Sequence, residues 1–270
     1  MFHQCLQRHA YVSVATHGRS SALVSWSCCQ SCSQVHLYRV QADFESQSPS
    51  PDDIKTTPLI HGDIAINLQR NADPCSAAGC KWPKTGGYVY VPVIISSGFS
   101  KSRIPLEHFL ISFYEKTCIR FMWKRHWHKD FLFFYPGSGC WSHLGRLPGG
   151  QAISLQKFGC LNFGIVQHEV LHALGFHHEQ VRSDRDDHVI IHFENVKRGR
   201  EHNFEKEETN NLGSPYDFNS IMHYGNFAFS KNKRPTIVAR GNPHLVFGLA
   251  KEMNSNDIAR VNALYECGKF

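Results

Sequence analysis

The stretch from His168 to Glu179, HEVLHALGFHHE, gathers imidazoles and carboxylates within a few turns of chain. His168 and His172 are four residues apart. On an α-helix, at about 100° per residue, both project from one face one turn apart and can share a tetrahedral metal ion. His178 cannot join them on a continuous helix, because ten residues rise about 15 Å while zinc–nitrogen bonds are about 2.0–2.1 Å. The chain must turn back first. Gly175 lies between the second and third imidazoles, and glycine alone takes the left-handed conformation of a helix end without a Cβ penalty. Three imidazoles leave a fourth position open, which is the arrangement of a catalytic zinc whose water is made acidic and deprotonated by a nearby carboxylate. Glu169 is the candidate base. With eighteen histidines in the chain, an isolated HxxxH pair would mean little, whereas His, Glu, His, Gly and His at these offsets is a far rarer pattern. His177 does not fit the ligand spacing and is assigned no role.

Rigid elements must hold these groups. Segment 163–176 is predicted as the metal-site helix, with Ile165, Val166, Val170, Leu171 and Leu174 as its buried surface. Residues 88–96, YVYVPVIIS, have strand composition, and Pro92 predicts an edge position or a bulge. Helical spacing of Leu106, Phe109, Leu110, Phe113 and Tyr114 places an apolar core face on 104–117. Residues 118–121, 131–135 and 152–155 read as further strands, and 137–150 as a glycine-dense loop. The charged run 179–188 is predicted as a solvated loop, some of whose carboxylates could orient the imidazoles. A polar surface helix is predicted over 196–208. A closing helix is predicted over 253–266, starting at Ser255 or Asn256, with Ile258, Val261, Leu264 and Tyr265 on its apolar side.

The chain has 270 residues, 41% hydrophobic and 19% charged, with a formal charge of +6. No apolar run approaches the roughly 20 residues of a membrane span, and basic residues are scattered among acids rather than collected in a stripe, which argues against nucleic-acid binding. Of ten cysteines, Cys5, Cys28, Cys29 and Cys32 fall in an N-terminal segment, 1–45, that offers no interpretable element. Cys75, Cys80, Cys118, Cys140, Cys160 and Cys267 contain no CxxC pair, so disulfides in an oxidising compartment are the better reading, with fifteen pairings open. Segment 1–45 also lacks a continuous signal-peptide core, for which a misassigned chain start is the favoured explanation and an unusual export route the alternative. Residues 47–58 read as a linker.

HEVLHALGFHHEQ, followed by Ser220-Ile221-Met222-His223-Tyr224, resembles the astacin family of metzincin metalloproteases, and the cysteine spacing looks like its fish hatching-enzyme branch. The similarity runs from about Ile60 to Cys267. It implies an α+β, metzincin-like zinc protease domain over 71–270, with a twisted, mainly antiparallel-edged sheet, an active-site helix, a Met-turn and two subdomains around a cleft. It implies one catalytic Zn2+ on His168, His172 and His178, with Glu169 as base, Tyr224 stabilising the charged intermediate and Met222 forming the floor of the site. It pairs Cys118 with Cys267, Cys140 with Cys160, and Cys75 with Cys80. It makes 131–135 the strand that edges the cleft. In the family a Gly-Asp in the propeptide blocks the metal, which assigns Gly62-Asp63 as the switch within a propeptide remnant at 46–70; Ile60 stands where the family usually has an aromatic. Cleavage is expected near Arg70, after which the new N-terminus meets Glu179. The implied protein is a secreted, monomeric zymogen that hydrolyses protein or peptide substrates, with egg-envelope glycoproteins as the implied target. A catalytically silent binding protein would have lost a ligand or the base, and none is lost.

Overall fold

The computed structural model describes residues 58–66 and 80–268, without the side chains of residues 100–109. Segment 1–45, the linker up to residue 57, Arg70 and Cys75 lie outside the described residues.

Two short strands come first, β1 (Leu59–Ile60) and β2 (Ile64–Ala65), then β3 (Lys84–Thr85) and β4 (Tyr88–Ile95). Helix α1 (Arg103–Lys116) leads into β5 (Ile119–Trp123), β6 (Phe131–Tyr135), β7 (Cys140–His143) and β8 (Gly150–Leu155). Helix α2 (Phe163–Ala173), β9 (Val189–Ile191), β10 (Ile237–Ala239) and α3 (Ser255–Leu264) follow. The main sheet runs β1-β2-β7-β8-β6-β4-β3, with β5 also on β4. Its inner ladders, β4 with β5 and β6 and β6 with β8, are parallel, while β7–β8, β1–β2 and β3–β4 are antiparallel.

β4 alternates as a strand with one buried face should: Val89, Val91 and Val93 are buried while Tyr88 and Tyr90 are exposed. It is an interior strand, contrary to the expectation from Pro92. The Val89 N–H donates to Cys118 and the Ser96 N–H to Phe134, so even-numbered positions of β4 face β6. The N–H that Pro92 lacks therefore points to that side one residue before the β6 ladder starts at Val93, and no ladder bond is lost.

β6 is also interior, paired in parallel with β4 and β8. The strand beside the site is instead β7, which pairs with β8 on one side and takes β2 in parallel on the other. In α1, Leu110 and Phe113 are buried, but Tyr114 is exposed and its ring lies 4.0 Å from the Arg120 guanidinium. The expected helix at 196–208 does not form. Gly199 takes a positive φ, Val196 bridges Ser230, and a short 3-10 turn at Glu201–Phe204 delivers Phe204 to a second apolar cluster with Val189, Ile237 and Phe247. The main cluster joins the sheet to α2, α3, Ile221 and Met222.

Disulfides Cys118–Cys267 and Cys140–Cys160 are formed as the resemblance implied. Cys80 is disulfide-bonded, and its expected partner Cys75 is outside the described residues. α3 begins at Ser255, one of the two starts its sequence signals suggested, with Asn254 as N-cap in a capping box with Asp257.

Candidate metal centre

α2 starts at Asn162, whose side chain accepts from the Ile165 N–H. It stops at Ala173, shorter than predicted, because Gly175 at φ 105° reverses the chain. Gly175 N–H donates to His172 and Phe176 N–H to Leu171, which is a Schellman turn. The other terminal carbonyls also have partners: Trp82 Nε1–H donates to Ala173 and Tyr265 O–H to Leu174. The helix end that carries His172 is thus tied to residues near both ends of the described segment 80–268.

The turn brings His178 back to His168 and His172. His168 Nδ1–H donates to the Ile221 carbonyl at 2.8 Å, and His172 Nδ1–H to the Phe176 carbonyl at 2.7 Å. These bonds leave each Nε2 lone pair aimed inward. The Nε2 of His168 stands 3.1 Å from that of His172 and 3.2 Å from that of His178. Lone pairs converging at that range repel unless positive charge sits among them. A tetrahedral ion with bonds of about 2.0–2.1 Å has donor–donor edges of about 3.3 Å, so the donor set fits zinc. Backbone carbonyls orient His168 and His172; Glu179, Asp184 and Asp186 of the 179–188 run instead pair with Arg182, Arg185, Lys206 and Arg260.

Asp63 closes the fourth corner. Its carboxylate oxygens lie 3.2 Å from His168 Nε2, 3.5 Å from His172 Nε2 and 3.1 Å from His178 Nε2. Burial opposes ionisation of Asp63, but the three imidazoles around it, His178 foremost, prevail and hold its carboxyl well below the usual range. Burial pushes His172 down and His178 down to about 3, whereas the Asp63 partner outweighs burial at His168 and raises it. Glu169 is 1% exposed, and its Oε2 has no hydrogen-bond partner. Burial, reinforced by the negative charge of Asp63, lifts its carboxyl well above the ordinary value.

Tyr224 lies over His178, ring centroids 4.6 Å apart, and its hydroxyl donates to the His61 carbonyl. Burial raises its phenol above the usual range. Met222 is buried in the main core, and its carbonyl accepts from the Glu179 N–H at 2.9 Å. That bond fixes the chain just past His178 to the turn beneath it. Ser220 anchors the same turn by donating to Asp257 of α3.

The Glu179 carboxylate faces away from the imidazoles. Burial raises its carboxyl, while a two-pronged contact from Arg260 at 2.5 and 2.8 Å, Arg182 and the Asp217 N–H favour the charged form. A cavity of about 80 Å³ borders Glu179, Arg182 and Arg260.

Sequence reasoning missed Arg260, because its partner is 81 residues away. It also left His177 without a role and did not single out His61 or Glu207. These three stand together: His61 Nε2 is 2.7 Å from Glu207 Oε1, and the His61 and His177 rings meet edge-on at 6.3 Å. The paired histidines at 177–178 were the available signal.

The family model described as Astacin, a peptidase family, matches residues 80–266. The low choriolytic enzyme of Oryzias latipes is 44% identical over 213 residues, covering 77% of this chain and 78% of its own. High choriolytic enzyme 1 of the same fish is 44% identical over 212 residues, with 77% and 78% covered. The solved structure of high choriolytic enzyme 1, described as a hatching enzyme zinc-protease, superposes with a TM-score of 0.70 at 43% identity, covering 73% of this chain and all of that one. The structure of myroilysin, at 19% identity and a TM-score of 0.52, shares the fold. A match that spans the helix, the turn beneath it and the closing helix, together with relatives above two-fifths identity, places the chain in the astacin family, and it is a metalloendopeptidase.

Proposed function

We propose that the chain is the latent precursor of a secreted endopeptidase whose active form digests protein of an egg envelope. The observation that supports latency is the Asp63 carboxylate against all three imidazoles. The same segment fills the edge of β7, where the Ser142 N–H donates to the Asp63 carbonyl at 3.0 Å.

His168, His172 and His178 would hold a zinc ion, which when bound supplies a Lewis acid that acidifies water and polarises a peptide carbonyl. Glu169 Oε2, buried and without a partner, would take a proton from water and return it to the departing amine. Withdrawal of Asp63 removes one of the two influences that keep the Glu169 proton in place. It also frees the Tyr224 hydroxyl from His61 to donate to the carbonyl oxygen as charge develops there. The vacated edge of β7 then presents backbone groups to an extended peptide. The cavity beside Glu179 offers room for an incoming amino terminus, whose ammonium would need the carboxylate as a partner once buried.

Secretion is supported by the disulfides, which persist in oxidising compartments. No described helix is long and apolar enough to cross a membrane. The egg-envelope substrate is supported by the relatives' likeness, and monomeric action by the sequence reading alone. The test compares uncut and proteolytically cut precursor on a peptide library, on isolated egg-envelope protein and on casein, with the new terminus read by mass spectrometry. Cut enzyme should act where uncut precursor does not, and should prefer envelope protein. Equal activity before and after cutting would overturn latency; equal or better cleavage of casein would overturn the substrate.

A further inference from the structure

Beside the three-imidazole pole lies a second group of potential ligands. His61, on the segment that carries Asp63, is 3% exposed, and its Nδ1 is buried without a hydrogen-bond partner. His177, next to the third imidazole, likewise buries an unpartnered Nδ1. Glu207 reaches in from the chain after Phe204 and accepts from His61 Nε2 at 2.7 Å. One donor atom from each of the three lies within 4.8 Å of the others. Two imidazoles and a carboxylate are a donor set that zinc takes at catalytic centres. Modest rotation of the side chains would bring these atoms to the edge of about 3.3 Å that such an ion requires.

The unpartnered buried nitrogens are the observation that points to a ligand, since a buried polar atom ordinarily has a partner. A simple His61–Glu207 hydrogen bond satisfies neither the second nitrogen of His61 nor that of His177. A cation would take one nitrogen from each imidazole and an oxygen of Glu207, and so would give His177 the partner it lacks.

We propose that His61, His177 and Glu207 form a second divalent-cation site of zinc type that exists only while segment 58–66 is docked. The ion would cross-link that segment to the body at a point independent of Asp63. That the site disappears on activation rests on the latency reading; that it exists in the uncut chain does not.

The test counts metal on the full-length precursor carrying Glu169→Gln, which prevents self-cutting. The protein is stripped with a chelator, titrated with Zn2+, gel-filtered and measured by mass spectrometry for bound zinc, with circular dichroism as the check on folding. Two equivalents are expected, falling to one in His177→Gln and, as a second variant, in Glu207→Gln. His168→Gln/His172→Gln should also retain one, and the cut enzyme should hold one. A precursor that binds one equivalent, lost in His168→Gln/His172→Gln and unchanged in His177→Gln and Glu207→Gln, would overturn this site and leave the three-imidazole centre standing. One equivalent lost only in His177→Gln and Glu207→Gln would overturn the three-imidazole centre and uphold this site.

Discussion

Replacing Asp63 with Asn should make the uncut precursor leak activity. The amide keeps the size of the side chain and leaves the backbone contacts alone: Ser142 N–H to Asp63 and Ile66 N–H to Pro58, both 3.0 Å, remain to hold the segment in register. What is lost is the negative charge facing three imidazoles at 3.1–3.5 Å. A hydrogen bond to a charged group contributes about 1.5–3 kcal/mol, so a loss of about 2–3 kcal/mol in docking raises the undocked fraction about 30–150-fold. The assay is the initial rate on a quenched fluorescent peptide, with mass spectrometry confirming an intact chain and each rate normalised to the same protein after full cutting. Uncut Asp63→Asn that is no faster than the uncut parent, with both reaching the same rate once cut, would refute a blocking role for the Asp63 charge.

Glu169→Gln should retain metal and fold yet lose at least about 10²–10⁴ in kcat, the usual worth of general acid–base catalysis; near-parental turnover at full zinc content would remove Glu169 from the mechanism. Gly62→Ala places a Cβ 2.9 Å from Tyr224 Oη and 3.0 Å from Phe229 Cζ, at φ 82°. It should cost docking about 1–2 kcal/mol and raise leak activity about 5–30-fold, and an unchanged leak would show that the turn is not held as described. His223 donates from Nδ1 to the Tyr224 carbonyl and accepts at Nε2 from the Tyr216 hydroxyl, and burial pushes its imidazole down to about 4. Its folded value is below the unfolded one of about 6.5, so its contribution is complete above about pH 6.5 and is lost as pH falls toward 4, by up to about 1.4 kcal/mol per pH unit. Urea midpoints between pH 7 and 5 should show His223→Gln with a flatter acid slope than the parent, and identical slopes would contradict this.

What could be read before any coordinates was local. The His168–His172 spacing, Gly175 and the apolar side of α2 each follow from helix geometry over a few residues, and Val166, Val170, Leu171 and Leu174 are all buried. Strand order was not local. β7 (Cys140–His143) lies inside 137–150, which its glycines mark as a loop, and only the sheet order makes it a strand between β8 and β2 and leaves β6 interior. Segment 196–208 misled because its polar residues suit an exposed helix, while Gly199 and the burial of Phe204 require an irregular path. Arg260 and Glu179 meet only through the packing of α3 behind the turn at Met222, and His61 reaches Glu207 across 146 residues. The resemblance supplied the disulfide pairing and the aspartate, which spacing alone left open.

His61 and Gly62 sit side by side in left-handed backbone, at φ 47° and 82°. A histidine there is disfavoured by about 1–2 kcal/mol, and two-residue strands such as β1 and β2 have little capacity to keep this shape alone. Docking therefore depends on attachment: while the chain between residues 66 and 80 is intact, the segment meets its site at an effective concentration of the order of millimolar. After a cut in that connection, the freed piece is diluted to its bulk concentration and must rebuild the strained turn before it can rebind. Mass action would then make a contact that suffices within one molecule too weak between two, so one hydrolysed bond acts as a ratchet that needs no further device to stay open.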